Sequence, residues 1–94
     1  MENFDNLLFG PSDVAKELAE RLKRIRKRKK ITQKQLALRC NMSYASLCRF
    51  EQTGLISLES FIKITMELGV AGDVRDLFTK PVYANIEEVI NDSH

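Results

Sequence analysis

One stretch, Thr32 to Gly54 (TQKQLALRCNMSYASLCRFEQTG), leaves a chain like this few choices. Thr32 is a capping residue, and Gln35 stands three positions later to complete a capping box at a helix start. Leu36, Ala37 and Cys40 then share one face at helical spacing. Asn41-Met42-Ser43 interrupts the run, because asparagine tolerates the left-handed conformation and Ser43 offers a second N-cap. A second helix follows, with Ala45, Leu47 and Phe50 available for burial and Tyr44, Ser46 and Arg49 on its other side. Two short helices joined by a tight turn make a helix-turn-helix.

The remaining sequence extends this motif on both sides, and 94 residues suit one small core. Ser12 is the expected N-cap of a long first helix, with Asp13 favourable in its first turn. Val14, Leu18, Leu22 and Ile25 form its apolar stripe. Beyond the central motif, Gly54 relaxes the chain and Ser57 caps another helix. The inward face of that helix is Leu58, Phe61, Ile62, Thr65 and Leu68, and Gly69 stops it. Gly72 leads into Asp73–Phe78, enough for about two helical turns. Thr79 to Ala84 contains Pro81 and reads as extended. Asn85 with Glu88 repeats the capping-box signature ahead of Ile86, Val89 and Ile90, so one more short helix is expected there. Strand signals are almost absent. The expected fold is all-α with five or six helices, the helix-turn-helix being the second and third. Its expected divisions are an N-terminal arm at 1–11, a helix-turn-helix domain at 12–78 and a C-terminal tail at 79–94, whose apolar residues are expected to make a dimer or partner contact. The arm holds Phe4, Leu7, Leu8 and Phe9 without a helical period, and reads either as a frayed end or as an extended arm across a domain or partner.

Charge is distributed unevenly. Residues 16–49 hold 12 Lys and Arg against only Glu17 and Glu20, while residues 1–15 carry three acids and no base. Residues 50–94 hold eight acids against three bases, so the net +2 conceals a basic middle between acidic ends. That pattern suits one face turned to a polyanion. The densest run, RLKRIRKRKK, ends the first helix, where cations favour the helix dipole but repel one another.

Catalysis and metal binding are not expected. The one histidine is His94, the last residue, and Cys40 and Cys48 lack the spacing of zinc ligands. Glu87 and Glu88 are adjacent and point to two faces of a helix, and no phosphate-cradling glycine loop occurs. No cofactor is expected. No apolar run reaches the roughly 20 residues that span a bilayer, and the N-terminus is acidic where a signal peptide is basic. Two cysteines within the helical motif fit small buried thiols in a reducing cytoplasm.

Thr32-Gln33, Leu36-Ala37, the Asn41-Met42-Ser43 turn and Arg49-Phe50-Glu51 together resemble the Xre/Cro-type helix-turn-helix of phage repressors. The resemblance implies that the second helix of the motif enters the major groove of double-stranded DNA. Ser43, Tyr44, Ala45, Ser46 and Arg49 match the positions that face DNA. Arg49 would read guanine through a bidentate contact, Ser43 and Ser46 would meet phosphate or water, and Ala45 would meet a thymine methyl. Tyr44 would flank the backbone. Gln33 matches a phosphate-anchoring position, and cations of the Lys27–Lys30 segment (Lys27, Lys29, Lys30) lie on a helix that crosses near the DNA backbone. Arg26 aligns with an arginine that pairs structurally with the glutamate ending the recognition helix, here Glu51. Two departures stand out: Lys30 occupies a usual glycine position, and Gln52-Thr53-Gly54 is one residue longer than the usual Asn-Gly. More loosely, the GPSDVA entry, the RFEQTG-xxSL segment and the Phe78…Tyr83…Ile86-Glu87-Glu88-Val89 tail resemble HipB-like antitoxins. Such proteins bind operators as dimers and hold a HipA-type kinase toxin. The expectation is therefore a non-enzymatic, DNA-binding transcriptional repressor acting as a homodimer. An antitoxin role and a helix-turn-helix adaptor with little DNA affinity are the alternatives.

Overall fold

The computed structural model describes residues 10–81, which form five α-helices and no strand. They are α1 (Pro11–Arg28), α2 (Gln33–Arg39), α3 (Tyr44–Thr53), α4 (Leu58–Glu67) and α5 (Ala71–Arg75). The extended segment and last helix expected over 79–90 lie almost wholly outside the described residues, as do residues 1–9 of the expected arm.

Local chemistry sets most of the helix ends. Thr32 Oγ1 accepts from the Gln35 amide at 3.0 Å, and Gln35 Oε1 accepts from the Thr32 amide at 2.9 Å, closing the capping box of α2. Ser43 and Ser57 cap α3 and α4 in the same way, accepting from the amides of Ser46 and Ser60. Helix α1 starts earlier than expected. Its N-cap is Gly10, with Pro11 in the first turn and the Asp13 carboxylate accepting from the Gly10 amide at 3.0 Å. Proline fixes φ for the first turn and its missing N–H costs nothing there, which moves the cap away from Ser12.

Three helices end in the same six-residue closure. The amides of Ile31, Met42 and Val70 donate to the carbonyls of Arg26, Ala37 and Thr65, and those of Lys30, Asn41 and Gly69 to Lys27, Leu38 and Met66. This Schellman arrangement puts one residue in the left-handed region. The residues there are Lys30 (φ 57°), Asn41 (φ 54°) and Gly69 (φ 77°). Only the last is glycine, so Lys30 carries a steric penalty that Gly69 avoids.

The core joins α1, α2, α3 and α4. Leu36, Leu47, Phe50, Ile64 and Leu68 are its largest fully buried apolar side chains, with Ala19, Leu22, Ala37 and Cys40 around them. Phe50 and Phe61 meet edge to face with ring centroids 6.1 Å apart, a favoured aromatic geometry. Burial pushes the Cys40 thiol up, the nearby Glu67 adds to that and Lys63 opposes it, so Cys40 behaves as a small apolar residue.

The buried face of α1 is not the expected stripe. Ala19, Leu22 and Arg26 are buried, whereas Val14 and Leu18 are exposed and Ile25 is half-buried. The reason is the close approach of α3, whose last residue is followed by Gly54 with φ 81°. A Cβ at Gly54 would lie 2.5 Å from the Ala15 carbonyl carbon and 2.7 Å from its Cβ. Small residues on α1 permit this contact, and large ones turn aside. Leu58 also differs from expectation in being exposed, and Ala45 is exposed as the family resemblance has it, not buried as the helical pattern alone allowed. Leu47 and Phe50 suffice to anchor α3, and Ile64 takes the core position on α4 that Leu58, in its first turn, is too far out to reach. Helix α5 begins at Ala71, two residues before Asp73, and Leu77 and Phe78 stay outside it.

Candidate nucleic-acid interface

Arg26 and Glu51 form a buried ion pair between α1 and α3. Arg26 Nε donates to Glu51 Oε2 at 2.7 Å and Nη2 to Oε1 at 3.0 Å, a bidentate pair. Both residues are buried, at 7% and 8% exposure. Burial of two charges is costly unless every remaining donor and lone pair is used. Here Arg26 Nη1 donates to the Ile31 carbonyl at 2.8 Å, and Gln33 Nε2 donates to Glu51 Oε1 at 2.8 Å. No buried side-chain nitrogen or oxygen among the described residues lacks a partner. The network ties the C-terminal half of α1, the first residue of α2 and the C-terminal half of α3 into one unit. Sequence reasoning named the pair and missed Gln33 as its third member. The available signal was position, since a helix-opening glutamine is close to the turn that Arg26 must reach.

Helix α3 presents its other side to solvent. Tyr44, Ala45, Ser46 and Arg49 are exposed along its first six residues, preceded by the exposed cap Ser43. The Ser43 hydroxyl accepts from the Ser46 amide and donates to Ser46 Oγ at 2.7 Å. One hydroxyl proton of the pair is thereby spent between the two serines, and the other is left to reach outward. Lys34 Nζ lies 5.7 Å from the Tyr44 ring centroid, across from α2, a cation–π distance.

Two further groups border this face. A cleft of about 430 Å³ separates α3 from the start of α4, with Ser43, Ser46 and Arg49 on one wall and Ser57 and Ser60 on the other. Ser57 was legible in the sequence as a cap, and nothing there linked it to Arg49. Thr53 absorbs the extra residue before Gly54. Its hydroxyl donates to the Arg49 carbonyl at 2.7 Å and accepts from the Leu55 amide at 3.1 Å, so α3 runs on into the glycine.

The cations sort by position. Arg26 is consumed in the core, and Arg21 and Arg24 face Glu17 and Glu20 at 3.4 and 3.7 Å on the α1 surface. Such exposed pairs contribute little. Lys27, Lys29 and Lys30 are exposed at the end of α1, immediately before the Thr32-Gln33 start of α2. No group of His, Cys, Asp and Glu among the described residues is placed to hold a metal ion.

A capped two-helix turn with an outward polar helix thus sits within a five-helix fold, and the helix-turn-helix family model HTH_3 matches residues 22–74, from the end of α1 into α5. The chain belongs to the HTH_3 helix-turn-helix family. No curated protein and no solved structure matches it. HTH_3 domains are non-catalytic, DNA-binding modules of Xre/Cro type, and α3 is the helix in the recognition position of the motif. No helix among the described residues of this HTH_3 domain is long and apolar enough to cross a membrane.

Proposed function

We propose that this HTH_3 domain binds a two-fold operator as a homodimer and represses transcription there. The exposed row of Ser43, Tyr44, Ala45, Ser46 and Arg49 on a helix whose far end is locked by Arg26, Glu51 and Gln33 supports this reading most. A rigidly held helix can present base-reading groups at fixed positions. Arg49 donates to guanine O6 and N7, Ala45 meets a thymine methyl, and Ser46 donates to phosphate or bridging water. Tyr44 flanks the backbone. Gln33 has a second amide proton beyond the one held by Glu51, and it turns to phosphate, as do Lys27, Lys29 and Lys30. The chain is a regulator of the reducing cytoplasm in this reading.

Selection of bound sequences from a random duplex pool tests the proposal, with a palindromic consensus as the expected outcome. On the selected site, Arg49→Ala is expected to cost about 1–3 kcal/mol and relax preference at one base pair. Neutralising Lys29 should weaken specific and scrambled duplexes alike and lower the log–log salt slope by about one unit for each phosphate that a subunit no longer neutralises. Equal weakening of both duplexes by Arg49→Ala would make Arg49 a phosphate clamp. No binding at physiological salt would leave the adaptor role.

A second, compatible reading is favoured by Leu77 and Phe78, which are exposed where the described chain ends. Apolar residues there fit contact with a protein, such as the kinase-like HipA-type toxin of the antitoxin resemblance. Co-purification with the product of a neighbouring kinase-like gene, lost in Phe78→Asp, would support it; retention by the variant would sink it.

A further inference from the structure

Helix α4 carries a second apolar face that the core does not use. Leu58 is 71% exposed and Met66 64%, with half-buried Ile62 between them and 53%-exposed Leu55 just upstream. Leu58, Ile62 and Met66 recur every fourth residue and so form one stripe along the helix. Beside it, at the same spacing, run Glu59, Lys63 and Glu67, alternating in sign. An apolar stripe bordered by such a row is the pattern of a helix that pairs with another helix.

We infer that this face of α4 is a homodimer contact, packed antiparallel against α4 of a second copy. The inference rests on the homodimer reading above and assigns its surface. Charge selects the occupant and the register. When Glu59 faces the partner's Lys63, two-fold symmetry makes Lys63 face the partner's Glu59. The same register drops Leu58 into the gap between the partner's Ile62 and the partner's Met66, and Ile62 into the gap between the partner's Leu58 and the partner's Ile62. Sliding the helices by one turn instead sets Lys63 against the partner's Lys63 and Glu59 against the partner's Glu67. Apolar interdigitation and charge pairing therefore agree in one arrangement and conflict in the next. The contact is isologous, as a closed dimer requires.

Sedimentation equilibrium of the full chain tests this, with circular dichroism to verify helix content. Leu58 and Met66 are exposed, so Leu58→Glu and Met66→Glu should leave the fold intact. Each should raise the dimer Kd by roughly a hundredfold, because symmetry applies the substitution twice and each copy weakens binding about tenfold. Glu59→Lys and Lys63→Glu should each weaken the dimer, and the double exchange should restore it. Rescue by the exchange is the result that a general surface effect does not produce. A dimer that survives Leu58→Glu and Met66→Glu overturns the α4 contact and leaves the operator reading standing. A wild-type chain that is monomeric at tens of micromolar also overturns it; operator selection then decides separately whether one copy reads a half-site.

Discussion

The turn from α2 into α3 and the segment from α5 to Pro81 are built on opposite principles. The first has a side-chain cap at each helix start, a Schellman closure at Asn41, and Leu36, Leu47 and Phe50 buried beneath it. The second has no side-chain cap, no buried residue, and Phe78 at 94% exposure with φ 63°. The first region's shape follows from residues within a few positions of one another and from one buried ion pair. The second is held by backbone turns at Asp76, Leu77 and Thr79 and by half-buried Ala71 and Val74, with no cap or buried anchor of its own.

The difference can be broken at its strongest point. Glu51→Gln or Arg26→Met strands one buried charge and is expected to cost roughly 3–5 kcal/mol, with the double variant recovering part of that stability. Urea denaturation of the four chains measures this, and small additive effects would show that the pair contributes little. Gly54→Ala comes next. Left-handed backbone and the clash with Ala15 together predict a destabilisation of about 2–4 kcal/mol, and an unchanged melting midpoint would mean that α1 shifts aside freely. Thr32→Ala and Ser43→Ala should each cost about 1 kcal/mol by removing a cap.

The smallest effects sharpen the comparison from the other side. Phe78→Gly removes a side chain that packs on nothing within the described fold and relieves a left-handed phenylalanine, so it should change stability by no more than about 1 kcal/mol in either direction. A larger destabilisation would reveal that the segment is anchored. Lys30→Gly should stabilise by about 0.5–1 kcal/mol through the same relief. It should also reduce the salt dependence of DNA binding, which would separate the reason for lysine there from the fold's preference.

Legibility in the sequence follows the same division. Thr32 with Gln35, Ser43, Asn41 and Ser57 act through neighbours a few residues away, and each is readable as such. The Arg26–Glu51 pair spans 25 residues and came from family resemblance, since no local rule connects them. The α1 stripe differs from its periodicity because periodicity weights large apolar residues, while the actual contact is made through Ala15, Ala19 and a neutralised arginine. The exposed positions of Ala45 and Leu58 reflect helix rotations fixed by packing, which a single helix does not encode. The row at Ser43–Arg49 was legible as an outward face, apart from Ala45, and the facing wall at Ser57 and Ser60 needed the fold to be seen.

Where the backbone after α3 meets α1 at Gly54 and Ala15, nothing larger than the Ala15 methyl stands between them. A spacer of side chains can be lengthened, shortened or reshaped by substitution, and backbone in direct contact cannot. The aim of α3 against α1 is therefore set by backbone, and substitutions at the exposed Tyr44, Ala45, Ser46 and Arg49 alter the chemistry of its surface without re-aiming it.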